Sequence, residues 1–338
     1  MARIRIADSD LKFDCYPNDT VMRAALRAGI PFPYECNVGK CGSCRFELVE
    51  GEIENLWVDA PALSERDRRA NRKLGCQSVP NSDCTIKVRL DRNCTPKTRP
   101  SVRPASLAGM RDVTHDIREF TFRTSGSAEF QAGQYALFHL PGVEGPRAYS
   151  MCNGPNSEGE WRFLIKRVRD GAGTQYLFDE MSLGDSIFID VPYGLAYFRD
   201  EFVRNIICVA GGSGLSPIIS IVRRAAQHPK FAERRIHVFY GGRGPSDICG
   251  EEFLRVLPKY GVNITFNASI SLPELDPNGM WIGPVGYVHE SVERIMNGSL
   301  GEYEFYVAGP PPMLQATVQM LVLKHKVDID RVHFDRFF

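Results

Sequence analysis

Apolar and polar residues alternate in two short runs at the start of the chain. Ile4 and Ile6 belong to the first run, and Leu11, Phe13 and Cys15 belong to the second. A polar stretch with two aspartates separates the runs. Because the side chains of a strand point alternately to its two faces, this pattern predicts a β-hairpin with one buried face.

A helical pattern follows in the segment NDTVMRAALRAGI. Its apolar residues fall on one face of a helix, Asp19 or Thr20 is a suitable N-cap, and Gly29 is a suitable stop. The later segments CRFELVEGEI and CTIKVRL predict further strands. The first 90 residues are therefore expected to combine one helix with several strands.

Strand patterns dominate residues 103–200, where short apolar runs are separated by Gly/Pro turns. Segments such as EFTFRT, QYALFHLP, WRFLIKRV and SIFIDVP predict a small antiparallel barrel. Beyond residue 200, strands and helices alternate, starting with RNIICVAGG and the helical pattern after it. This alternation predicts a parallel sheet with helices on both faces.

The predicted domain boundaries follow a proline-rich, basic stretch that has no periodic apolar face. Pro96 and Pro100 lie in this stretch, which we interpret as a linker. The predicted organisation is a first domain over residues 1–92, a linker over 93–102, a second domain over 103–200 and a third over 201–338.

The composition agrees with a multidomain protein and excludes several classes of partner. The chain has 338 residues, 41 of them basic and 41 acidic, and this balance predicts neither a nucleic-acid nor a membrane partner. No apolar run approaches the length of about 20 residues that crosses a bilayer. The first residues lack the apolar core of a signal peptide, so we expect a cytoplasmic protein.

Four of the ten cysteines have the spacing of a metal-cluster site. Cys36, Cys41 and Cys44 form a C-x4-C-x2-C motif, and Cys76 follows in the segment KLGCQSVP. This is the spacing of plant-type [2Fe–2S] proteins. A structural zinc site is the competing interpretation, but zinc frameworks more often pair two Cys-x-x-Cys units. The remaining cysteines are expected to be small buried residues: Cys15, Cys84, Cys94, Cys152, Cys208 and Cys249.

Residues 1–90 as a whole resemble a plant-type ferredoxin, and the four cysteines carry the resemblance. It implies a β-grasp fold of the α+β class for the first domain. It also implies that Cys36, Cys41, Cys44 and Cys76 are the ligands of a [2Fe–2S] cluster.

Two motifs in the second domain are weak separately and informative together. Residues 147–150 read RAYS, and Lys166 is followed by RVRDGAGT, which ends at Thr174. A solvated arginine beside a half-buried tyrosine would explain the first motif, whereas free N–H groups at a helix start would favour a phosphate at the second. At this separation the pair resembles the flavin-binding barrel of the ferredoxin–NADP+ reductase family.

The resemblance implies a role in FAD binding for each motif. Arg147 would pair with the pyrophosphate, Tyr149 would lie against the isoalloxazine, and Ser150 would hydrogen-bond near its N5 edge. The other residues implied to bind the cofactor are Lys166, Gly171, Gly173 and Thr174, of which the last three would hold the pyrophosphate.

The third domain contains glycine-rich turns after its predicted strands. The loop Gly211-Gly212-Ser213-Gly214 lacks the Lys-Ser/Thr of a P-loop and does not match the strict dinucleotide fingerprint. The segments GGSGLSP, FYGGR and AGPPPM nevertheless occur in the order of the pyridine-nucleotide domain of the same reductase family. This implies nucleotide contacts from Gly211, Gly212, Gly214 and Arg243, and a turn near the nicotinamide at Gly309 and Pro310.

Three details of the third domain remain open from the sequence. Ala308 stands where many members of the family have a cysteine, and we do not infer inactivity from it. The last residue, Phe338, is expected either to cover the flavin, as the resemblance implies, or to pack in an edge strand, in which Phe337 is the safer core residue. Acidic Asp247 suits NADH whereas Arg243 suits NADPH; we expect NADH, because the wider resemblance is to oxygenase reductases.

The order of the three domains resembles the NAD(P)H-dependent reductase component of bacterial aromatic-ring oxygenases. This implies a multidomain fold with a β-grasp ferredoxin, an antiparallel FAD barrel and an α/β nicotinamide domain. Hydride from NAD(P)H would reduce FAD beside Tyr149, Ser150 and Phe338. Single electrons would then pass through the cluster to a terminal oxygenase or hydroxylase, or its Rieske ferredoxin, which would dock on the flanks of the cluster loop at Glu35, Val38 and Lys40.

Two other functions stay open at this point. The first is a stand-alone flavin oxidase or flavin reductase, for which the cluster domain would be superfluous. The second is a non-enzymatic metal-binding module fused to a nucleotide sensor, with zinc held by the four cysteines. The identity of the electron acceptor, the aromatic substrate and the oligomeric state are not encoded in recognisable motifs.

Overall fold

The computed structural model describes residues 1–298 and 300–337, which form three principal sheets in succession along the chain. The elements around the first sheet are β1 (Ala2–Ile6), β2 (Lys12–Cys15), α1 (Val21–Arg27), β3 (Arg45–Glu50), β4 (Ile53–Asn55), α2 (Glu65–Arg69), β5 (Arg72–Leu74), β6 (Ser78–Pro80) and β7 (Cys84–Lys87).

The first sheet is mixed, with strand order β2-β1-β7-β3-β5. Strands β1 and β2 form the predicted antiparallel hairpin, and β1 also pairs in parallel with β7. Helix α1 buries Val21, Met22 and Leu26 against this sheet. The expectation of a helix-on-sheet ferredoxin fold is thus confirmed.

The start of α1 differs in detail from the prediction. Thr20 occupies the N-cap position, but its side chain makes no capping hydrogen bond. Asp19 does not cap the helix either, because its carboxylate accepts from the N–H of Thr20 and from the Arg27 side chain. Gly29 has a φ of +82° and ends the helical segment as expected.

The second sheet curls into a nearly closed antiparallel barrel with strand order β11-β10-β13-β8-β9-β12. Beyond the end of β11, Met151 bridges to Phe163 of β12, which brings the two edge strands together. The elements of this region are β8 (Ser101–Asp112), β9 (Ile117–Arg123), β10 (Tyr135–His139), β11 (Arg147–Ser150), β12 (Glu160–Lys166), α3 (Ala172–Gln175) and β13 (Ser186–Tyr193).

The third sheet is wholly parallel, with strand order β16-β15-β14-β17-β18. Separate apolar cores on its two faces hold α4 and α5 on one side and α6 and α7 on the other. The elements are β14 (Asn205–Gly211), α4 (Leu215–Gln227), β15 (Ile236–Gly242), α5 (Glu251–Arg255), β16 (Ile264–Ile270), α6 (Val288–Met296), β17 (Tyr303–Gly309), α7 (Pro311–Gln319) and β18 (Val332–Arg336).

The predicted fold class is confirmed in all three regions, whereas the residue limits of the domains stay a prediction. Strand β8 of the barrel begins at Ser101, inside the predicted linker. The six scattered cysteines are buried, as expected. Among the described residues, no helix combines the length and apolar character needed to span a membrane. Phe338 lies outside the described residues.

Candidate functional site

The four predicted ligands converge on one loop of the first region. The Sγ atoms of Cys44 and Cys76 lie 3.4 Å apart, and the thiols of Cys36 and Cys41 are hydrogen-bonded to each other. Backbone N–H groups also face the sulfurs, since Cys41 N–H donates to Cys36 Sγ over 3.3 Å. The sulfurs therefore come as two close pairs, which is the donor set that two irons with two thiolates each require.

Positive φ angles give the loop the shape that wraps these sulfurs. Gly39 and Gly42 have φ values of +84° and +81°, and Asn37 has a φ of +58°. A side chain is strained in this left-handed region, so glycine is favoured at both positions. Buried Arg23 supports the loop from below, with Nε donating to Asn37 Oδ1 over 3.0 Å.

The thiols share protons within each pair. A hydrogen bond from Cys36 lowers the pKa of Cys41 to about 5, while the same bond and burial raise the pKa of Cys36. In the second pair, the hydrogen bond from Cys44 lowers the pKa of Cys76. In each pair one sulfur is thus easier to deprotonate than the other, and four sulfurs in two close pairs fit a [2Fe–2S] cluster.

The RAYS strand is β11, which pairs antiparallel with β10 at one edge of the barrel sheet. Arg147 donates to the carbonyl oxygens of Glu144 and Gly145 at 2.9 and 3.1 Å. Tyr149 packs edge-on against Phe138, with ring centroids 4.9 Å apart. Burial raises the pKa of Tyr149, which stays a neutral phenol.

The glycine-rich loop lies directly against this strand. A Cβ atom at Gly173 would come within 2.9 Å of Arg147 Cγ and 3.4 Å of the Tyr149 hydroxyl. The Thr174 hydroxyl is engaged inside its own loop, where it accepts from Val168 N–H over 3.1 Å. The structure therefore brings the glycine-rich loop against Arg147 and Tyr149, while the Gly171 N–H at its start already donates to the Val168 carbonyl oxygen over 3.1 Å.

A cavity of about 520 Å³ lies at the carboxyl edge of the parallel sheet. Five residues predicted to bind cofactors line it, namely Lys166, Gly211, Gly212, Arg243 and Pro310. Gly214 and Gly309, which were also predicted to lie near the nucleotide, are not among its lining residues. A Cβ atom at Gly214 would meet the Ala308 carbonyl oxygen at 2.1 Å, and one at Gly309 would meet Met313 Cε at 2.9 Å. Both glycines allow the two turns to pack closely, so a larger residue at either position would push the turns apart.

Charged groups from two sheets meet at one end of this cavity. Lys166 Nζ lies 2.9 Å from Asp116 Oδ2, and Arg243 Nε lies 3.4 Å from Asp247 Oδ2. Burial alone would raise the pKa of Asp247. Hydrogen bonds from the N–H groups of Gly244 and Arg243, followed by the Arg243 and Lys166 charges, outweigh it and lower that pKa. The carboxylate is therefore ionised and holds Arg243 in place.

Two residues at the junction of the barrel and the third region were missed by the sequence reasoning. Buried Ser216 on α4 donates to the Ser150 carbonyl oxygen over 2.6 Å and accepts from Leu164 N–H over 3.2 Å. The carboxyl group of Asp335 on β18 faces the Ser150 side chain, and burial together with nearby Glu35 raises its pKa to about 7. The acid that follows Phe334 in the final strand was the available signal.

The first region and the barrel meet through buried polar contacts beside the cluster loop. Tyr135 donates to the Glu35 carbonyl oxygen over 2.7 Å, and the Tyr34 hydroxyl accepts from Gly194 N–H over 3.0 Å. The Glu35 side chain points to Arg336 of the third region, 3.3 Å away. Glu35 was predicted to belong to the docking surface for the acceptor, but its carboxylate is turned toward Arg336 of the third region and Ser43 of its own loop.

Comparisons with known proteins agree with this architecture. The profile described as "2Fe-2S iron-sulfur cluster binding domain" matches residues 4–81. The "Oxidoreductase FAD-binding domain" and "Oxidoreductase NAD-binding domain" profiles match residues 104–198 and 208–319. These matches follow the order of the three sheets.

Similar whole proteins carry the same three parts. The chain is 39% identical over 335 residues to "Ferredoxin--NAD(P)(+) reductase CarAd" of Metapseudomonas resinovorans, covering 96% of each protein. It is 37% identical to the ferredoxin--NAD(+) reductase component of the alkene monooxygenase system of Xanthobacter autotrophicus, over 96% of this chain and 97% of the relative. A solved structure titled "Ferredoxin reductase in carbazole 1,9a-dioxygenase" superposes with a TM-score of 0.91 at 35% identity, over 100% of this chain and 98% of that one.

The fold and the site define an iron–sulfur flavoprotein oxidoreductase. The chain belongs to the family of ferredoxin–NAD(P)+ reductases that serve as reductase components of oxygenase systems. Its cofactors are a [2Fe–2S] cluster, FAD and NAD(H), and electrons pass from the nicotinamide through FAD to the cluster. The zinc-sensor alternative is thereby set aside.

Proposed function

We propose that this chain delivers single electrons from NADH to the terminal oxygenase or hydroxylase of an aromatic-compound oxygenase system, or to its Rieske-type ferredoxin. Curated relatives are named as components of such systems, including a phenol 2-monooxygenase and a naphthalene 1,2-dioxygenase system. Ten cysteines without a disulfide suit a compartment that keeps thiols reduced, so we place the protein in the cytoplasm.

The proposal is supported by one observation: the predicted flavin strand, the end of β18 and the start of the cluster loop lie next to one another. The side chain of Ser150, on the predicted flavin strand, faces Asp335 of the third region. Arg336, the next residue, pairs with Glu35, and Glu35 directly precedes the cluster ligand Cys36. A flavin on the RAYS strand would therefore lie beside both the nicotinamide cavity and the cluster loop. This is the arrangement that a two-electron to one-electron converter needs.

All predicted FAD residues except Lys166, which lines the nucleotide cavity, have a role that their surroundings support. Arg147, with the N–H groups around Gly171 and Gly173, would bind the pyrophosphate. Tyr149 would pack against the isoalloxazine, and Ser150 would hydrogen-bond at its N5 edge. The Thr174 hydroxyl would act indirectly, by holding the phosphate loop closed. When bound, FAD would accept the hydride, which amounts to one proton and two electrons, and release the two electrons one at a time while the proton is released.

The cavity residues favour NADH over NADPH. Arg243 is the predicted cation for a 2′-phosphate, but its Nε pairs with Asp247 and its Nη2 lies 3.9 Å from Asp116 Oδ2. A 2′-phosphate would have to displace these carboxylates or lie beside them, which costs free energy through like-charge repulsion. Lys166 is likewise paired with Asp116. The ribose hydroxyls of NADH carry no such cost.

The test separates flavin reduction from electron delivery by the cluster. NADH oxidation is measured with ferricyanide, a small acceptor that reacts with the reduced flavin, and with cytochrome c, a one-electron protein acceptor. In Cys41→Ser we expect cytochrome c reduction to fall at least about a hundredfold, because the cluster is lost, with ferricyanide reduction retained. Cys84→Ser is the matched control, since this buried thiol lies in the same region without joining the four ligands.

Full cytochrome c reduction by Cys41→Ser would contradict the proposal and favour the stand-alone flavin reductase. The visible spectrum gives a second readout. Wild type should show flavin bands with broad absorbance beyond them that bleaches on anaerobic addition of NADH, and Cys41→Ser should keep only the flavin bands.

A further inference from the structure

The cluster loop has one side that faces the protein and one that faces solvent. On the inner side, Glu35 pairs with Arg336 and its carbonyl oxygen accepts from Tyr135. On the outer side, Lys40 is exposed, and Cys41 is the single ligand of the four that is partly accessible. Electrons that enter from the flavin side must therefore leave past Lys40 and Cys41.

An apolar strip lies against this outer side. Leu56, Trp57 and Val58 are all exposed, Val58 by 63%. The Trp57 ring covers the loop, since a Cβ atom at Gly39 would lie 3.0 Å from Trp57 Cε3. Leu56 N–H donates over 2.9 Å to the carbonyl oxygen of Gln77, the residue after Cys76. The strip thus touches both segments that supply cluster ligands.

The chemistry of the strip is that of a binding surface. Exposed apolar residues that occur singly are common, but three consecutive ones beside a redox centre form a patch that a partner can cover. Tryptophan is enriched among the residues that dominate binding energy at protein interfaces. The indole N–H of Trp57 makes no hydrogen bond to any described residue, which leaves it free to donate to a partner.

A basic rim borders the strip. Five basic residues lie within 56–73, against three acidic ones, namely Asp59, Glu65 and Asp67. Asp67 is buried, where it pairs with Arg45 and Arg72. The basic residues are Arg66, Arg68, Arg69, Arg72 and Lys73. Arg68 pairs with Asp59 over 3.9 Å and Arg69 pairs with exposed Glu65 over 3.3 Å. Five basic residues against three acidic ones leave the segment 56–73 with a surplus of two positive charges, whereas the whole chain has a net charge of zero.

Arg68 connects the rim to the strip. Its guanidinium donates to the carbonyl oxygens of Val58, Ala60 and Leu63. Helix α2, which carries Arg66 and Arg69, is therefore tied directly to the segment that carries Trp57. The cluster edge, the apolar strip and the basic rim form one continuous surface.

We infer that Leu56–Val58 and the rim of Arg66 and Arg69 are the docking surface for the electron acceptor, and that this acceptor is a redox protein with an acidic surface around its own centre. The inference rests on the proposed function and specifies its partner. Trp57 is the apolar anchor at the centre of the contact. The arginines steer the acidic partner and set its orientation.

The charge of the rim argues against a second copy of this chain as the occupant. A symmetric contact would bring Arg66 and Arg69 of one copy close to those of the other, and like charges across an interface are unfavourable. An acidic partner replaces that repulsion with attraction.

The experiment uses two small haem proteins of opposite charge as probes. The soluble domain of cytochrome b5 is acidic and horse cytochrome c is basic, and ferricyanide reports the flavin alone. Each NADH gives two electrons, so two ferric haems become ferrous while NAD+ and one proton are released. The variants are Trp57→Ala and the double variant Arg66→Glu/Arg69→Glu. Matched controls are Tyr16→Ala, an exposed aromatic residue, and Arg5→Glu, on β1 and so separated by β7 and β3 from β5 in the first sheet.

We expect Trp57→Ala to raise KM for both haem proteins about tenfold with ferricyanide turnover unchanged. The double arginine variant should raise KM for cytochrome b5 about tenfold, lower KM for cytochrome c, and lose most of the salt dependence seen with cytochrome b5. Both controls should behave as wild type. Size-exclusion chromatography of wild type should give one copy per particle.

The outcomes distinguish a failure of the proposed function from a failure of the docking surface. Wild type that reduces ferricyanide but neither haem protein would contradict the proposed function, and the docking surface with it. Wild type that reduces both, with the arginine variant indistinguishable from Arg5→Glu, would overturn the docking surface alone. Loss of the cluster absorbance in Trp57→Ala would show that Trp57 is needed for the structure of the cluster loop. The docking surface would then be tested by the KM values of the Arg66→Glu/Arg69→Glu variant.

Discussion

The barrel meets its two neighbours in physically different ways. At its junction with the first region, Arg27 Nη2 lies 2.7 Å from Asp190 Oδ2, and the Asp190 side chain is only 1% exposed. Tyr193 donates to the same carboxylate over 2.8 Å. Its junction with the third region also has a buried part, where Ser216 and Ser220 of α4 donate to the carbonyl oxygens of Ser150 and Asn153. In contrast to the first junction, however, it opens at one end into a cavity, which Lys166 and Arg243 line with side chains 30% and 59% exposed.

The difference matches what each junction has to do. Electron transfer from a flavin to a cluster needs a fixed separation, and buried, hydrogen-bonded ion pairs hold one geometry. A nicotinamide has to enter and leave with every turnover, and solvated charged groups can exchange partners at low cost. The protein is thus closed where electrons pass between resident cofactors and open where the diffusible one binds.

The largest expected effect is the loss of stability when the buried ion pair between the first region and the barrel is removed. Replacing Arg27 by Ala leaves the Asp190 carboxylate buried without its partner, and we expect a loss of about 3 kcal/mol in the free energy of unfolding. Urea unfolding followed by circular dichroism measures it. The control is Arg69→Ala, which removes a pair that is 83% and 87% exposed, for which we expect less than about 1 kcal/mol. Equal losses in the two variants would remove the contrast between buried and solvated charges.

A smaller effect is expected where both junctions converge, at Asp335. An aspartate in an unfolded chain titrates near about pH 3.9, whereas burial and Glu35 raise the pKa of Asp335 to about 7. The folded protein therefore binds an extra proton between these values, and its stability falls as the pH rises through that window.

Relative to Asp335→Asn, wild type should lose on the order of 1 kcal/mol between about pH 5 and about pH 8, since the residue is only partly buried from solvent and this reduces the effect. Urea unfolding at the two pH values is the measurement, with exposed Asp330→Asn as the control. A wild-type curve parallel to that of Asp335→Asn would show that the carboxyl group is not held protonated.

The smallest expected effect is a change in nucleotide preference at the cavity between the barrel and the third region. Asp116→Asn removes a carboxylate that faces both Lys166 and Arg243. We expect the ratio of kcat/KM for NADPH to that for NADH to rise about fivefold, because a 2′-phosphate would meet less negative charge and a freer Arg243. Ferricyanide reduction with each nucleotide measures the ratio. Asp112→Asn, whose side chain is 70% exposed on β8, is the control, and an equal change there would argue against a local effect.

The sequence predicted best the features that lie within one short segment. Three cluster ligands occupy nine consecutive residues, and their spacing with Cys76 was sufficient to place all four at one site. The strands of the barrel and of the parallel sheet also followed from local periodicity.

Residues that act across junctions were not predictable in this way. Asp335 and Ser150 are far apart in sequence, and so are Asp116 and Arg243; no local pattern encodes which of them meet. The inward orientation of Glu35 depends on Arg336 of the third region. The role of Thr174 in holding the pyrophosphate stays a prediction, and the structure adds that its hydroxyl closes its own loop through a local contact with Val168 N–H.

The uneven accessibility of the cluster ligands determines how the cofactor is exposed to damage. Since Cys41 is partly accessible and its three fellow ligands are buried, chelators and reactive oxygen species approach the irons from a single direction. That opening is also the exit for electrons, so a bound acceptor shields it. A reduced molecule waiting without an acceptor is therefore the most vulnerable state of the protein.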